Sequence, residues 1–154
     1  MKSIDNSQDS IDSRDVILRI AYLENDREIL SEALEEAQEA LEEASVPAHK
    51  QSRLEAYRDA KKELEDWDEE NGEELKNLNA LAKEAEGFGD WEHGATLIRE
   101  SYFEDYAREL AKDIGAITGD ESWPATCIDW EQAAKELQMD YTSVEFDDVT
   151  YYMR

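Results

Sequence analysis

The sequence is poor in the materials from which catalytic and metal sites are built. It has one cysteine, two histidines, two prolines and six glycines among 154 residues. The lone Cys127 cannot close an internal disulfide, which favours a reducing compartment. With no histidine near it in sequence, it reads as a small buried hydrophobe rather than a nucleophile. His49 and His93 fall in no HExxH, CxxC or other ligand spacing, so both read as surface residues and no metal site is expected. There is no glycine-rich phosphate loop, no GxSxG and no EF-hand loop. These absences predict a protein that is not an enzyme and needs no cofactor.

Two further absences narrow the setting. No apolar run approaches the roughly 18 residues of a membrane span, and the N-terminus lacks a signal-peptide core, so a cytoplasmic location is expected. Positive charge is scarce, with 16 basic against 41 acidic residues and a formal net charge of -25. Direct binding to nucleic acid or to an anionic membrane is excluded by repulsion from every face. The excess is not a tail. Residues 1–90 hold 26 acidic and 11 basic side chains, and residues 91–154 hold 15 and 5, so charge is spread over a folded surface.

What is present is helix. Val16, Ile20, Leu23, Arg27, Leu30, Leu34, Ala37, Leu41 and Ala44 step by four and three, a heptad seam broken at Arg27. Asp12 or Ser13 can cap its start, and Pro47 stops it. Leu54, Tyr57, Lys61, Leu64, Asp68, Asn71, Leu75, Leu78, Ala82 and Ala85 repeat the spacing, with Asn71-Gly72 as a point where the helix could kink or end. Arg27 is expected to face Asp68 or a neighbouring glutamate. The predicted fold is mainly α: a disordered stretch over 1–13, a long antiparallel, coiled-coil-like helical hairpin over 14–86, and a compact α+β module over 87–154. In that module Phe103, Tyr106, Ala107, Leu110 and Ile114 form one helix face ended by Gly115. Asp129 caps a second helix, "TGDESWPAT" is a loop, and "TSVEF" and "VTYYM" form a C-terminal β-hairpin. Trp91, Trp123 and Trp130 are expected to anchor its core.

The acidic faces carry the functional expectation. From Glu24 to Glu43 lie Glu24, Asp26, Glu28, Glu32, Glu35, Glu36, Glu39, Glu42 and Glu43, opposed only by Arg27. At about 1.5 Å per residue these span roughly 30 Å, one charge per about 3.5 Å, against about 3.4 Å per phosphate along a DNA strand. Asp59, Glu63, Glu65, Asp66, Asp68, Glu69, Glu70, Glu73 and Glu74 repeat the density on the second helix. A rod bearing two such lines would compete for a DNA-binding channel. The bland alternatives are a solvated helix kept soluble by glutamate, or acidity adapted to salt.

"SYFEDYARELAKDIGAI" and "WPATCIDWEQAAKELQMDYTSVEFDDVTYYMR" resemble the C-terminal part of the ArdA family of antirestriction proteins, which plasmids, transposons and phages encode. The resemblance covers about the last third; residues 14–86 do not look like that family's α/β N-terminal domains. It implies an acidic, dimeric mimic of bent B-form DNA that blocks type I restriction-modification enzymes in the bacterial host cytoplasm. It also implies Asp105, Glu109, Asp113, Glu131, Glu136, Asp140 and Asp147 as phosphate analogues. The expected partner is a basic DNA-binding defence protein, with a homodimer possible. Two other readings stay open: an inhibitor of a CRISPR effector or other DNA-binding machine, and a coiled-coil adaptor whose acidity serves only solubility.

Overall fold

The computed structural model describes residues 2–119 and 122–154. It is mainly α, with helices α1 (Ser13–Glu43), α2 (Pro47–Ala85), α3 (Phe103–Asp113) and α4 (Trp130–Gln138). Strands β1 (Ser10–Asp12), β2 (Thr96–Arg99), β3 (Thr142–Phe146) and β4 (Val149–Met153) form one antiparallel sheet in the order β1-β2-β4-β3. The chain divides into two compact units, one comprising Leu18–Asn79 and the other Ile4–Ile17 with Ala80–Arg154.

In the first unit the two long helices run antiparallel. Arg19 of α1 meets Glu74 of α2, while Asp26 and Arg27, seven and eight residues further along, meet Trp67 and Asp68. The heptad seam is the contact. Leu23, Trp67 and Leu78 are buried, and Leu30, Leu34, Ala37, Leu41, Leu54, Tyr57, Leu64 and Leu75 are half-buried. Two helices shield a seam from one side each and cannot enclose it, so the distal leucines keep part of their surface in water. Helix α2 runs unbroken through Asn71-Gly72, and the Asn71 amide donates to the Trp67 carbonyl one turn back at 3.2 Å. Packing along the seam holds a residue pair that locally favours a break.

The second unit contains the sheet. The close of the chain is the expected hairpin, pairing Val144 with Tyr151 and Phe146 with Val149. Its two-residue turn puts Asp147 and Asp148 at φ 48° and 60°, the left-handed pair that matches strand twist. Ile11, Leu97, Val144, Phe146, Tyr151 and Met153 share one buried face by register. On the other face Ile98 joins Phe103, Ala107 and Ala134, with Tyr106, Tyr141, Leu137 and Tyr152 packed around them. Phe103 meets the rings of Tyr106, Tyr141 and Tyr152 edge-on at 5.2 to 5.4 Å. Asp129 caps α4 by accepting from the Gln132 amide at 3.0 Å. Asp12 does the same for α1, accepting from the Arg14 amide at 2.9 Å.

Several expectations are corrected. The N-terminal stretch is not disordered over residues 4–13: Ser10–Asp12 add an edge strand to β2, Ile4 and Ile11 are buried, and the Ser13 hydroxyl donates to the Trp91 carbonyl. This segment therefore belongs with the α+β module. The module accordingly begins before residue 87, with Ile4–Ile17 and Ala80–Arg154 in one unit. Ile114 is 70% exposed because α3 ends at Asp113, and Gly115 turns the chain away at φ 74°. Trp123 and Cys127 are exposed, as residues of a connecting segment commonly are. Within the expected loop there, Asp120 and Glu121 lie outside the described residues.

Candidate functional site: two acidic helix faces

Unbroken helix turns the acidic sequence into ordered lines. On α1, Glu24, Glu28, Glu32, Glu35, Glu39 and Glu42 step by 4, 4, 3, 4 and 3, so all six project within about 40° of one direction. The seam leucines lie on the opposite side of the same helix. On α2, Glu55, Asp59, Glu63, Asp66, Glu70 and Glu73 repeat the identical steps, again opposite the seam. All twelve are exposed. Each line covers about 27 Å, one carboxylate per about 5.4 Å, which is the helix pitch. The closer spacing of about 3.5 Å is reached only with the flanking Asp26, Glu36 and Glu43 counted. Glu55 belongs to this line although charge density alone did not single it out; the four-three period, read on the acidic rather than the apolar positions, is the signal that finds it.

The structure removes some members from the predicted surface. Glu74 is drawn inward, its side chain 16% exposed, and accepts both arms of the buried Arg19 guanidinium at 2.9 and 2.8 Å. That carboxylate holds the helices together and cannot face a partner. Asp68 takes the Arg27 fork at 2.7 and 3.2 Å, and Asp26 accepts the Trp67 indole N–H at 2.6 Å. The hydrogen bonds to Glu74 and Asp68 hold the Arg19 and Arg27 guanidinium groups above their ordinary range. Asp66 is paired with Lys62 at 2.6 Å and Glu73 with Lys76 at 3.9 Å. Glu28, Glu32, Glu35, Glu36, Glu39, Glu42, Glu43, Asp59, Glu63, Glu69 and Glu70 stand exposed and are engaged in no ion pair among the described residues.

In the second unit, Asp105, Glu109 and Asp113 step along the exposed side of α3, with Glu109 accepting from the Tyr102 hydroxyl at 2.9 Å. Glu131 and Glu136 are exposed on α4, Glu131 paired with Lys135 at 2.7 Å. Asp140 and the turn residue Asp147 are also exposed. A cavity of about 220 Å³ lies beside α3, lined by Arg108, Lys112, Thr126 and Trp130 among others, and the Arg108 guanidinium sits over the Trp130 ring at 5.3 Å. His49, His93 and Cys127 are exposed and dispersed, and no group of three or more His, Cys, Asp and Glu is placed to hold a metal ion among the described residues. No helix among them is long and apolar enough to cross a membrane.

No known protein family, curated protein or solved structure matches this chain.

Proposed function

We propose that the protein is a non-enzymatic DNA mimic from a phage or other mobile element, blocking the DNA-binding channel of a host defence protein of the restriction-modification class. The observation that carries this reading is the pair of carboxylate lines with identical spacing on α1 and α2, each facing away from the packing seam. The seam's period by itself places polar residues on the outer faces, as in any amphipathic helix. What supports the reading is that the stretch from Glu24 to Glu43 carries nine acidic side chains against one basic one. A channel lined by Lys and Arg to neutralise phosphates would be attracted to such faces, with the attraction summed over many groups and weakened by salt.

The test follows from the sum. Reversing Glu35, Glu39 and Glu42 to Lys changes six charge units on one line and leaves the leucines untouched. Inhibition of a DNA-cleaving target should fall, chiefly through association rate, with helix content preserved. A single reversal should do little. Equal inhibition by wild type and triple reversal at low and high salt would overturn the mimicry reading. It would favour an adaptor that docks through apolar surface, for which Leu18, Tyr22 and Ile29, each about half exposed on α1, are available.

A further inference from the structure

An amphipathic helix with a single partner carries polar residues over the rest of its surface, and α1 departs from that pattern. Leu18, Tyr22 and Ile29 are 55%, 47% and 56% exposed, and Ala33 and Ala40 continue their line toward the hairpin bend. At about 100° per residue the five fall within about 60° of one another, roughly a third of a turn from the seam. Asn25 and Glu36 interrupt the line. Apolar side chains scattered singly over a surface need no explanation, but a line of them at helical spacing marks an interaction face. Its steps of 4, 7, 4 and 7 residues are the spacing at which one helix packs on another.

Two features suit the face to a helix. Tyr22 is set as an anchor, because the Arg19 guanidinium, forked onto Glu74, lies 5.5 Å from the centre of its ring. Toward the bend the line borders a groove formed by Ala33, Ala37 and Ala40 of α1 and Ala56 of α2, with Glu36 and Arg53 also lining it. Methyl side chains let another backbone come nearer than leucines would. Charge then decides the occupant. Glu28, Glu32 and Glu39 run along one border of the line, about a quarter-turn from it. They are exposed and engaged in no ion pair among the described residues. A second copy of this chain would bring the same carboxylates and a net charge of -25 against them. A helix whose apolar stripe is flanked by Lys or Arg gains on both counts.

We propose that this outer face of α1 docks an amphipathic basic helix of a partner protein, its apolar stripe on Leu18, Tyr22 and Ile29 and its cations toward Glu28, Glu32 and Glu39. Docking there draws on exposed apolar surface, and is separable from the mimicry proposed above, which draws on charge alone. The probe is a synthetic helical peptide of about 18 residues, with leucines at heptad spacing and lysines beside them. Its control is a scrambled twin of the same composition and charge, whose leucines are spread around the helix. The heptad peptide should bind the full-length protein at least about tenfold more tightly than the twin and shift the amide resonances of Leu18, Tyr22 and Ile29. The double variant Leu18→Gln, Ile29→Gln alters no charge and no buried side chain. Its melting temperature should hold, while the heptad peptide weakens by about tenfold or more. Equal binding of the two peptides would reduce the site to charge and overturn the proposal, as would no binding of either or undiminished binding to the double variant. Wild type sedimenting as a dimer that the double variant turns into a monomer would give the face to a second copy, and would overturn it too. Loss of inhibition in the Glu35, Glu39, Glu42 reversal, alongside unchanged peptide binding by the double variant, would sink the docking face and leave mimicry standing.

Discussion

Two arginines on the inner side of the hairpin show how exposure sets the worth of an ion pair. The Arg19 side chain is 7% exposed and that of Glu74 16%, whereas Arg27 and Asp68 are 46% and 42% exposed. Removing Arg19 leaves a carboxylate in a largely desolvated place, so Arg19→Ala should cost about 3 kcal/mol or more. Arg27→Ala should cost under about 1 kcal/mol, because water replaces the lost partner. Urea unfolding of both variants measures the difference, and equal costs would contradict the burial argument. Gly72→Ala should shift the same curve the other way, stabilising by about 0.5–1 kcal/mol. Tyr141 supplies a pH-dependent counterpart. Burial, then its hydrogen bond with the Tyr106 hydroxyl at 2.7 Å, raises its pKa well above the ordinary tyrosine value. A raised value means that its contribution to stability is intact below about pH 10 and is lost as pH rises through the folded value. Tyr141→Phe should therefore lose less stability than wild type between neutral pH and about pH 11, read by denaturant titration at each pH.

Among the elements, the seam is the weaker structure and the sheet the stronger. Leu34 is half-buried in the hairpin, while Tyr151, Leu97 and Phe146 are buried in the sheet. An aspartate at Leu34 would keep part of its hydration, so Leu34→Asp should cost about 1–3 kcal/mol rather than the larger penalty of a sealed core. Amide hydrogen exchange should follow the same order, with residues 30–64 opening at lower free energy than β2, β3 and β4. Uniform protection across both would refute it. In the closing hairpin, Asp148 holds φ 60° without the freedom of glycine. Asp148→Gly should raise stability by about 0.5–1 kcal/mol, since the turn type prefers glycine there.

Over the whole molecule, a net charge of -25 works against compaction at every point of the surface. Raising ionic strength from about 0.01 M to about 0.15 M shortens the screening length from about 30 Å to about 8 Å. The melting temperature should rise over that range, in contrast to the interaction with a basic partner, which the same salt weakens. That opposition is useful in practice: a variant that loses inhibition at high salt without losing its fold has lost electrostatic attraction and nothing else. Calorimetry beside an inhibition assay separates the two.

The helices, their antiparallel order, the Asp129 cap and the C-terminal hairpin were legible in the sequence because each is a local pattern, repeated often enough to outweigh its exceptions. The period of the seam also determined which carboxylates face away from it. The edge strand β1 and strand β2 were not legible: at three and four residues neither shows a period, and both exist because β4 offers β2 a partner and β2 offers one to β1. Trp123, Cys127 and Ile114 were misread for the same reason, since side-chain hydrophobicity does not say whether a connection crosses the core or the surface. Only the tertiary structure decided that Glu74 turns inward to a buried arginine while Glu73 beside it faces solvent. The same holds for Gly72, which continues a helix beside an open groove instead of ending one. A local sequence specifies conformation, but the surroundings of a charge or a missing side chain are set by whatever segment folds against it.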